Sequence, residues 1–192
     1  MPPKCKFTRK EIIQAALDIA KSEGNASITA RSLGAKLGSS SKPIFSVFEN
    51  MEEVQTEVQK AAKALYAEYV HVGLHQELAF KGVGTQYILF AIKEPKLFQL
   101  LFMSEQSQKP SVAGILPVID ESYEQILLSV QNGYGLGKKD ALNLYRHLWI
   151  YTHGIAVLCA TNICSFTAEE ISRMMTEVFV SLLKEIKGGK TE

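Results

Sequence analysis

The sequence predicts an all-α fold, a headpiece of short helices followed by longer ones, about nine helices in all. Three observations predict it. Apolar residues recur at spacings of three and four along most of the chain. Alternating β-branched runs, the signal of half-buried strands, are missing. A Thr or Asn followed three residues later by Glu stands ahead of three of the apolar stripes, as a helix start requires.

The first helix starts after Thr8, with Glu11 completing a capping box. Ile12, Ala15, Ala16, Ile19 and Ala20 form its inner face, and Gly24 stops it. The second starts at Thr29, carries Leu33 and Leu37 inward and ends at Gly38. A third, very short helix is expected from Ser39-Ser40-Ser41 through Pro43 to Val47, because proline fits only near a helix start. Asn50 with Glu53 caps a long fourth helix, about 51–75, whose inner stripe is Val54, Val58, Ala61, Ala62 and Leu65. Gly82 and Gly84 interrupt a fifth, about 77–92. Pro95 opens a sixth, 95–103, before a polar loop over 104–111. A seventh runs from Val112 or Leu116 to Val130, and the glycines of 132–137 mark a loop. The eighth spans 138–160. Thr167 with Glu170 caps the ninth, 168–186, and the tail from Gly188 is expected to fray.

The long fourth helix marks the break between a domain at 1–53 and one at 54–192. Charge separates the two regions. The chain has 192 residues, 21 basic and 20 acidic, for a net charge of +1. Residues 1–48 hold eight basic groups against three acidic ones, or +5, which leaves −4 on the remainder. An evenly basic protein is excluded, and a basic headpiece is the nucleic-acid candidate. With 46% hydrophobic residues, disorder is excluded. Three cysteines, Cys5, Cys159 and Cys164, are too few for a disulfide scaffold and point to a reducing compartment. No apolar run follows the basic residues of 1–10, so no signal peptide is read there. The most apolar stretch, 148–163, is too short to span a membrane and contains His153 and Asn162. A cytoplasmic protein with no membrane partner is expected.

Two helices joined by a tight turn, Leu37-Gly38-Ser39-Ser40, with a short serine-led second helix, form a helix-turn-helix pattern. Ser41, Lys42 and Ser46 would face the major groove. Ser40 would cap the short helix, while Ile44, Val47 and Phe48 hold it to the core. Thr29 and Arg31 sit where contact with the DNA backbone is expected. Lys42 could equally be a solvated lysine, Arg31 a partner in a surface ion pair, and Thr29 a helix cap alone.

These residues resemble a known family. Ile12-Ile13-Gln14-Ala15-Ala16-Leu17, Ile28-Thr29-Ala30-Arg31-Ser32-Leu33, Leu37 through Phe48 and Asn50-Met51-Glu52-Glu53-Val54 are similar to the headpiece of TetR-type transcriptional regulators. The stretches Ala91 through Phe98 and Leu148 through Leu158 resemble that family's ligand domain more weakly. The resemblance implies a homodimer that binds a palindromic double-stranded DNA operator and releases it on binding a small-molecule effector. It also exposes departures. The family usually has Tyr at Phe45, His at Val47 and Lys at Met51. Phe45 packs but cannot donate to a phosphate. Lys4, Lys6, Arg9 and Lys10 would compensate as a basic arm, giving modest affinity with strong salt dependence. A second reading follows from the same departures: a helical dimer with weak or no DNA binding, acting through a protein partner.

The resemblance places an effector among the middle helices, where Tyr87, Phe98, Phe102, Tyr123, Trp149 and His153 are the candidates, core packing being the alternative for each. An apolar pocket there would suit a lipophilic compound. The last two helices would form the dimer. Leu142, Tyr145, Trp149, His153, Ala156 and Ala160 trace one face, and Ile171, Met174, Met175, Val178, Phe179 and Leu182 the other. Tyr145, Ala156, Met175, Phe179 and Leu182 are the expected contacts of a four-helix bundle, unless these faces close the monomer's own core. No metal, cofactor or catalytic residue is expected. His147, His153 and Cys159 stand six apart, not one helical turn. A Cys159–His153 pair lacks an orienting third group. The glycines of 133–137 follow no strand.

Overall fold

A computed structural model describes residues 6–105 and 109–189. Lys4 of the expected basic arm, Cys5, residues 106–108 of the expected loop and 190–192 of the expected tail lie outside the described residues. Among the described residues there are nine α-helices and no strand. The contacts divide them into two compact units.

The first unit holds the described residues up to Leu65 together with Glu94–Ser104. Helix α1, Arg9–Glu23, begins in a reciprocal cap. The Glu11 amide donates to Thr8 Oγ1 at 3.2 Å, and the Thr8 amide to Glu11 Oε2 at 2.7 Å. Helix α2, Ala30–Lys36, repeats the device with Thr29 and Ser32. A single 3₁₀ turn, Ile44–Ser46, follows. Helix α3, Met51–Leu74, starts with Asn50 accepting the Glu53 amide at 2.9 Å, and its first part belongs to this unit. Helix α5, Pro95–Phe102, packs on α1. Ile12, Leu33, Ile44, Phe48, Val54, Val58, Leu97 and Phe98 are buried to 2% exposure or less.

The second unit holds Tyr66–Lys93 and the described residues from Glu105 on. Beyond the end of α3 it contains α4, Ala79–Lys93; α6, Leu116–Ile119; α7, Tyr123–Tyr134; α8, Lys138–Ala160; and α9, Ala168–Gly188. Helix α8 packs on α4, α7 and α9. The Thr167–Glu170 box caps α9. Gly73 and Gly82 let α3 and α4 touch backbone to backbone: a Cβ on Gly73 would lie 2.7 Å from Val83 Cα, and one on Gly82 would meet the Gly73 carbonyl oxygen. Gly82 and Gly84 therefore sit inside α4 rather than interrupting it.

The other differences from expectation have local causes. The division falls within the long helix, as expected, but after Leu65 rather than at 53/54, because residues 51–65 pack with the headpiece. The expected seventh helix is split into α6 and α7. Asp120 between them is extended, at φ −132° and ψ 117°, and its Oδ1 accepts the Ser122 amide at 2.8 Å, an Asx turn that competes with helix. Helix α7 runs through Gly133 and stops only at Gly135, which is left-handed at φ 64°. Gly188, expected in the tail, closes α9.

Candidate functional site

The headpiece turn is built by glycine and serine. Gly38 has φ 61°, its amide donates to the Ala35 carbonyl, and the Ser39 amide donates to the Gly34 carbonyl at 2.9 Å. This 6→1 and 5→2 pair is a Schellman ending for α2. Gly34 has no side chain to hold off the returning chain: a Cβ there would be 3.0 Å from the Ser39 carbonyl oxygen. The serine run is thus folded back onto α2.

The expected recognition helix is only a 3₁₀ turn. Pro43 has no N–H, and the Ser46 hydroxyl donates to the Pro43 carbonyl at 2.6 Å, occupying the acceptor that a longer helix would use. The Val47 amide bonds instead to Ile44, three residues back. Ser40 does not cap this element; Pro43 precedes it. Ile44 and Phe48 anchor the turn in the core, whereas Ser40, Lys42, Phe45 and Ser46 are exposed and Ser41 is half-buried. Arg31 and Lys42 enter no ion pair among the described residues. Thr29 is exposed, but its hydroxyl is engaged in the cap of α2.

Arg9 is not part of a free basic arm. Its guanidinium pairs with Glu53 at 2.8 Å and Glu57 at 3.5 Å and lies 4.4 Å over the Phe48 ring. Hydrogen bonding to Glu53 raises its pKa further. Lys6 donates to Ser39 Oγ at 3.1 Å.

The second unit contains an apolar cavity of about 230 Å³. Helix α3 contributes Tyr66; α4 contributes Phe80, Val83, Gly84 and Tyr87; α7 contributes Tyr134; α8 contributes Tyr145, Leu148, Trp149 and Thr152; and α9 contributes Met175, Phe179 and Val180. Lys81, exposed, lies at its edge. Edge-on ring contacts set its walls, Tyr66 to Tyr87 at 5.9 Å and Phe80 to Tyr145 at 5.6 Å, with Tyr134 tilted against Phe179 at 4.7 Å.

Two polar groups stand behind the aromatic wall. The Tyr66 hydroxyl donates to Asp120 Oδ2 at 2.7 Å. Burial pushes the Asp120 pKa up, opposed by the hydrogen bonds from Tyr66 and Ser122. Burial, then the neighbouring Asp120 charge, pushes the Tyr66 phenol well above its ordinary value. The second group is His153, whose Nδ1 lies 2.9 Å from the Tyr87 hydroxyl. Burial keeps the Tyr87 phenol protonated, so its proton is assigned to His153 Nδ1, leaving the imidazole hydrogen on Nε2. Burial also lowers the His153 pKa, and the ring stacks on Trp149 at 5.1 Å.

Of the six expected effector residues, Tyr87 and Trp149 line the cavity. His153 lies directly behind them. Tyr123 stacks on Tyr145 at 6.2 Å, outside the lining. Phe98 and Phe102 lie in the first unit, 5.1 Å apart, because α5 packs on α1. The expected dimer residues are also redistributed. Tyr145, Met175 and Phe179 line the cavity, and Ala156 is fully buried within the single chain. Leu182, like Leu142, Met174 and Val178 of the same stripe, is half-buried and lies outside the lining. Ile150, Gly154 and Val180 are among the exposed positions of α8 and α9. The expected list lacks Tyr66, Phe80 and Tyr134; the aromatic density of the middle helices was the only sequence signal for them.

Among the described residues no cluster of three or more His, Cys, Asp or Glu is placed to hold a metal, and no helix is long and apolar enough to cross a membrane. Residues 80–183, which include all of the cavity lining except Tyr66 and Leu78, match the family described as tetracyclin repressor-like, C-terminal domain. No curated protein matches the chain.

Proposed function

Because the chain belongs to the TetR family of transcriptional regulators, we propose that it is a cytoplasmic, ligand-responsive repressor that binds a palindromic operator as a homodimer and is released by a small, largely apolar effector. The observation that carries the reading is the presence in one chain of two specialised parts. One is a capped helix-turn-helix headpiece with Arg31 and Lys42 exposed. The other is an apolar cavity within the matched domain. The effector site is the cavity, with Tyr66, Tyr87, Tyr145 and Trp149 as its principal walls. DNA contacts are assigned to Thr29, Arg31, Ser40, Ser41, Lys42, Phe45 and Ser46. Dimer contacts are assigned to the exposed stripe of Ile150, Gly154 and Val180 with Leu182.

Helix α3 is the covalent route between the activities. It is one continuous helix that caps at Asn50 and carries Tyr66 into the cavity wall. A ligand acts on DNA binding only if it favours one arrangement of that helix over another. The cavity residues are read as binding groups, not as catalysts.

The 3₁₀ turn and the engagement of Arg9 by Glu53 favour a second reading, in which DNA is bound weakly or not at all and a protein partner is the target. Fluorescence anisotropy with the chain's own upstream intergenic DNA separates the two. Sequence-selective, salt-sensitive binding supports the repressor; its absence supports the partner reading.

A further inference from the structure

We propose that the cavity binds an uncharged aromatic compound bearing a carbonyl or similar hydrogen-bond acceptor, held by the hydroxyls of Tyr145 and Thr152. This rests on the reading of the cavity as the effector site and names the chemistry of the effector.

Tyr145 and Thr152 are seven residues apart on α8, so they share a face two turns apart. Both line the cavity, at 5% and 4% exposure. Neither hydroxyl has a hydrogen-bond partner among the described residues, and both open onto the cavity. The contrast with their neighbours is sharp. Tyr66 donates to Asp120, and the Tyr87 hydroxyl is taken by His153. The other helical threonines return their proton to the carbonyl four residues back, Thr56 at 2.9 Å, Thr85 at 3.0 Å and Thr176 at 2.7 Å, as does Thr161 just past the end of α8 at 2.7 Å. Thr152 does not. Hydroxyls that line an apolar cavity without a protein partner hold their hydrogen-bonding capacity for whatever fills it, and two on one wall point to a partner that arrives from outside.

The walls choose the rest of the molecule. They are mostly aromatic, which favours a flat ring system by edge and offset contacts. An apolar cavity of about 150 Å³ takes benzene, so about 230 Å³ takes a fused bicycle. Charge is unwelcome in either sign. An anion would face the Asp120 carboxylate behind Tyr66, and a cation would pass Lys81 at the edge.

Four probes of one shape test this by calorimetry on the full chain: 2-acetonaphthone, 2-ethylnaphthalene, 2-naphthoate and 1-(2-naphthyl)ethylammonium. The ketone is expected to bind roughly tenfold tighter than the hydrocarbon, with both ions weaker than the hydrocarbon. Tyr145→Phe with Thr152→Val removes the ketone's advantage and leaves hydrocarbon binding within about twofold. Thr152→Val alone raises the Tm of the ligand-free protein, because it deletes an unpaired hydroxyl. Equal binding of ketone and hydrocarbon, tightest binding of either ion, no binding of any probe, or a lowered Tm in Thr152→Val each overturns the proposal. DNA binding is read separately by anisotropy without probe, so loss of the repressor reading and loss of this ligand class are distinguishable.

Discussion

The Tyr66 hydroxyl and the Asp120 carboxylate, 54 residues apart, form a buried hydrogen bond of 2.7 Å. Burial holds the Asp120 pKa above its ordinary value, despite that bond. An acid whose folded pKa is raised contributes stability below the unfolded pKa, near 3.9, and loses it as pH rises through the folded value. Asp120→Asn removes this loss. The stability of the variant relative to the parent, followed by urea denaturation, is expected to increase as pH rises from about 4 toward neutrality. A pH-independent difference would show that the carboxyl titrates as it does in water. Tyr66→Phe leaves the carboxylate with only the Ser122 amide and is expected to cost about 1–3 kcal/mol at neutral pH.

Two glycines on α4 are expected to respond in opposite directions to the same change. Gly82→Ala drives a methyl into the Gly73 carbonyl, which is backbone and cannot swing aside. It should destabilise by roughly 1–3 kcal/mol, overriding the better helix propensity of alanine. At Gly84 the new methyl meets Met175 Cε at 2.6 Å, the far end of a flexible side chain. That substitution should be neutral or gain up to about 1 kcal/mol. Denaturant midpoints of the two variants check both signs.

On the headpiece, Phe45 is 47% exposed in the 3₁₀ turn. Phe45→Tyr supplies the hydroxyl that the TetR-type pattern usually has there. It should tighten operator binding about three- to tenfold without changing the salt slope, since no charge is added. Lys42→Ala should weaken binding and flatten the plot of log K against log salt by about one unit if Lys42 meets a phosphate. Anisotropy across a salt series reads both effects.

For the dimer, Ile150 is 49% exposed on α8 and lies one turn from Gly154. Ile150→Glu should convert the proposed dimer to a species near 21.3 kDa in sedimentation, with the helical circular dichroism unchanged. A parent protein already at that mass would exclude the homodimer.

Much of the architecture was legible because local chemistry dictates helix ends. Thr8 with Glu11 and Thr167 with Glu170 form the expected boxes, and α8 spans 138–160 as its periodicity indicates. What escaped the sequence was decided by partners distant in the chain or by backbone competition. Asp120 splits a continuous apolar stripe because its side chain captures an amide two residues on. Ser46 closes a turn where a longer helix was expected. Periodicity shows that Tyr145, Ala156 and Met175 face inward, but one stripe cannot say whether it meets its own chain or another. Here it meets its own. The cavity was half legible. Tyr87 and Trp149 sit in the expected middle helices, whereas Phe98 looked equivalent in sequence and is claimed by α1.

That claim by α1 has a consequence for the order in which the protein can be made. Phe98 and Leu97 are fully buried in a unit whose other members end at Leu65. The N-terminal unit therefore cannot close its core as it leaves the ribosome. It must wait roughly a few seconds of synthesis, through residues destined for the other unit, before α5 arrives. A gene fragment stopping at Leu65 would encode α1, α2 and the 3₁₀ turn entire and still yield a chain with an open seat on α1. The segment proposed to read DNA and the segment that completes its core are not the same stretch of gene.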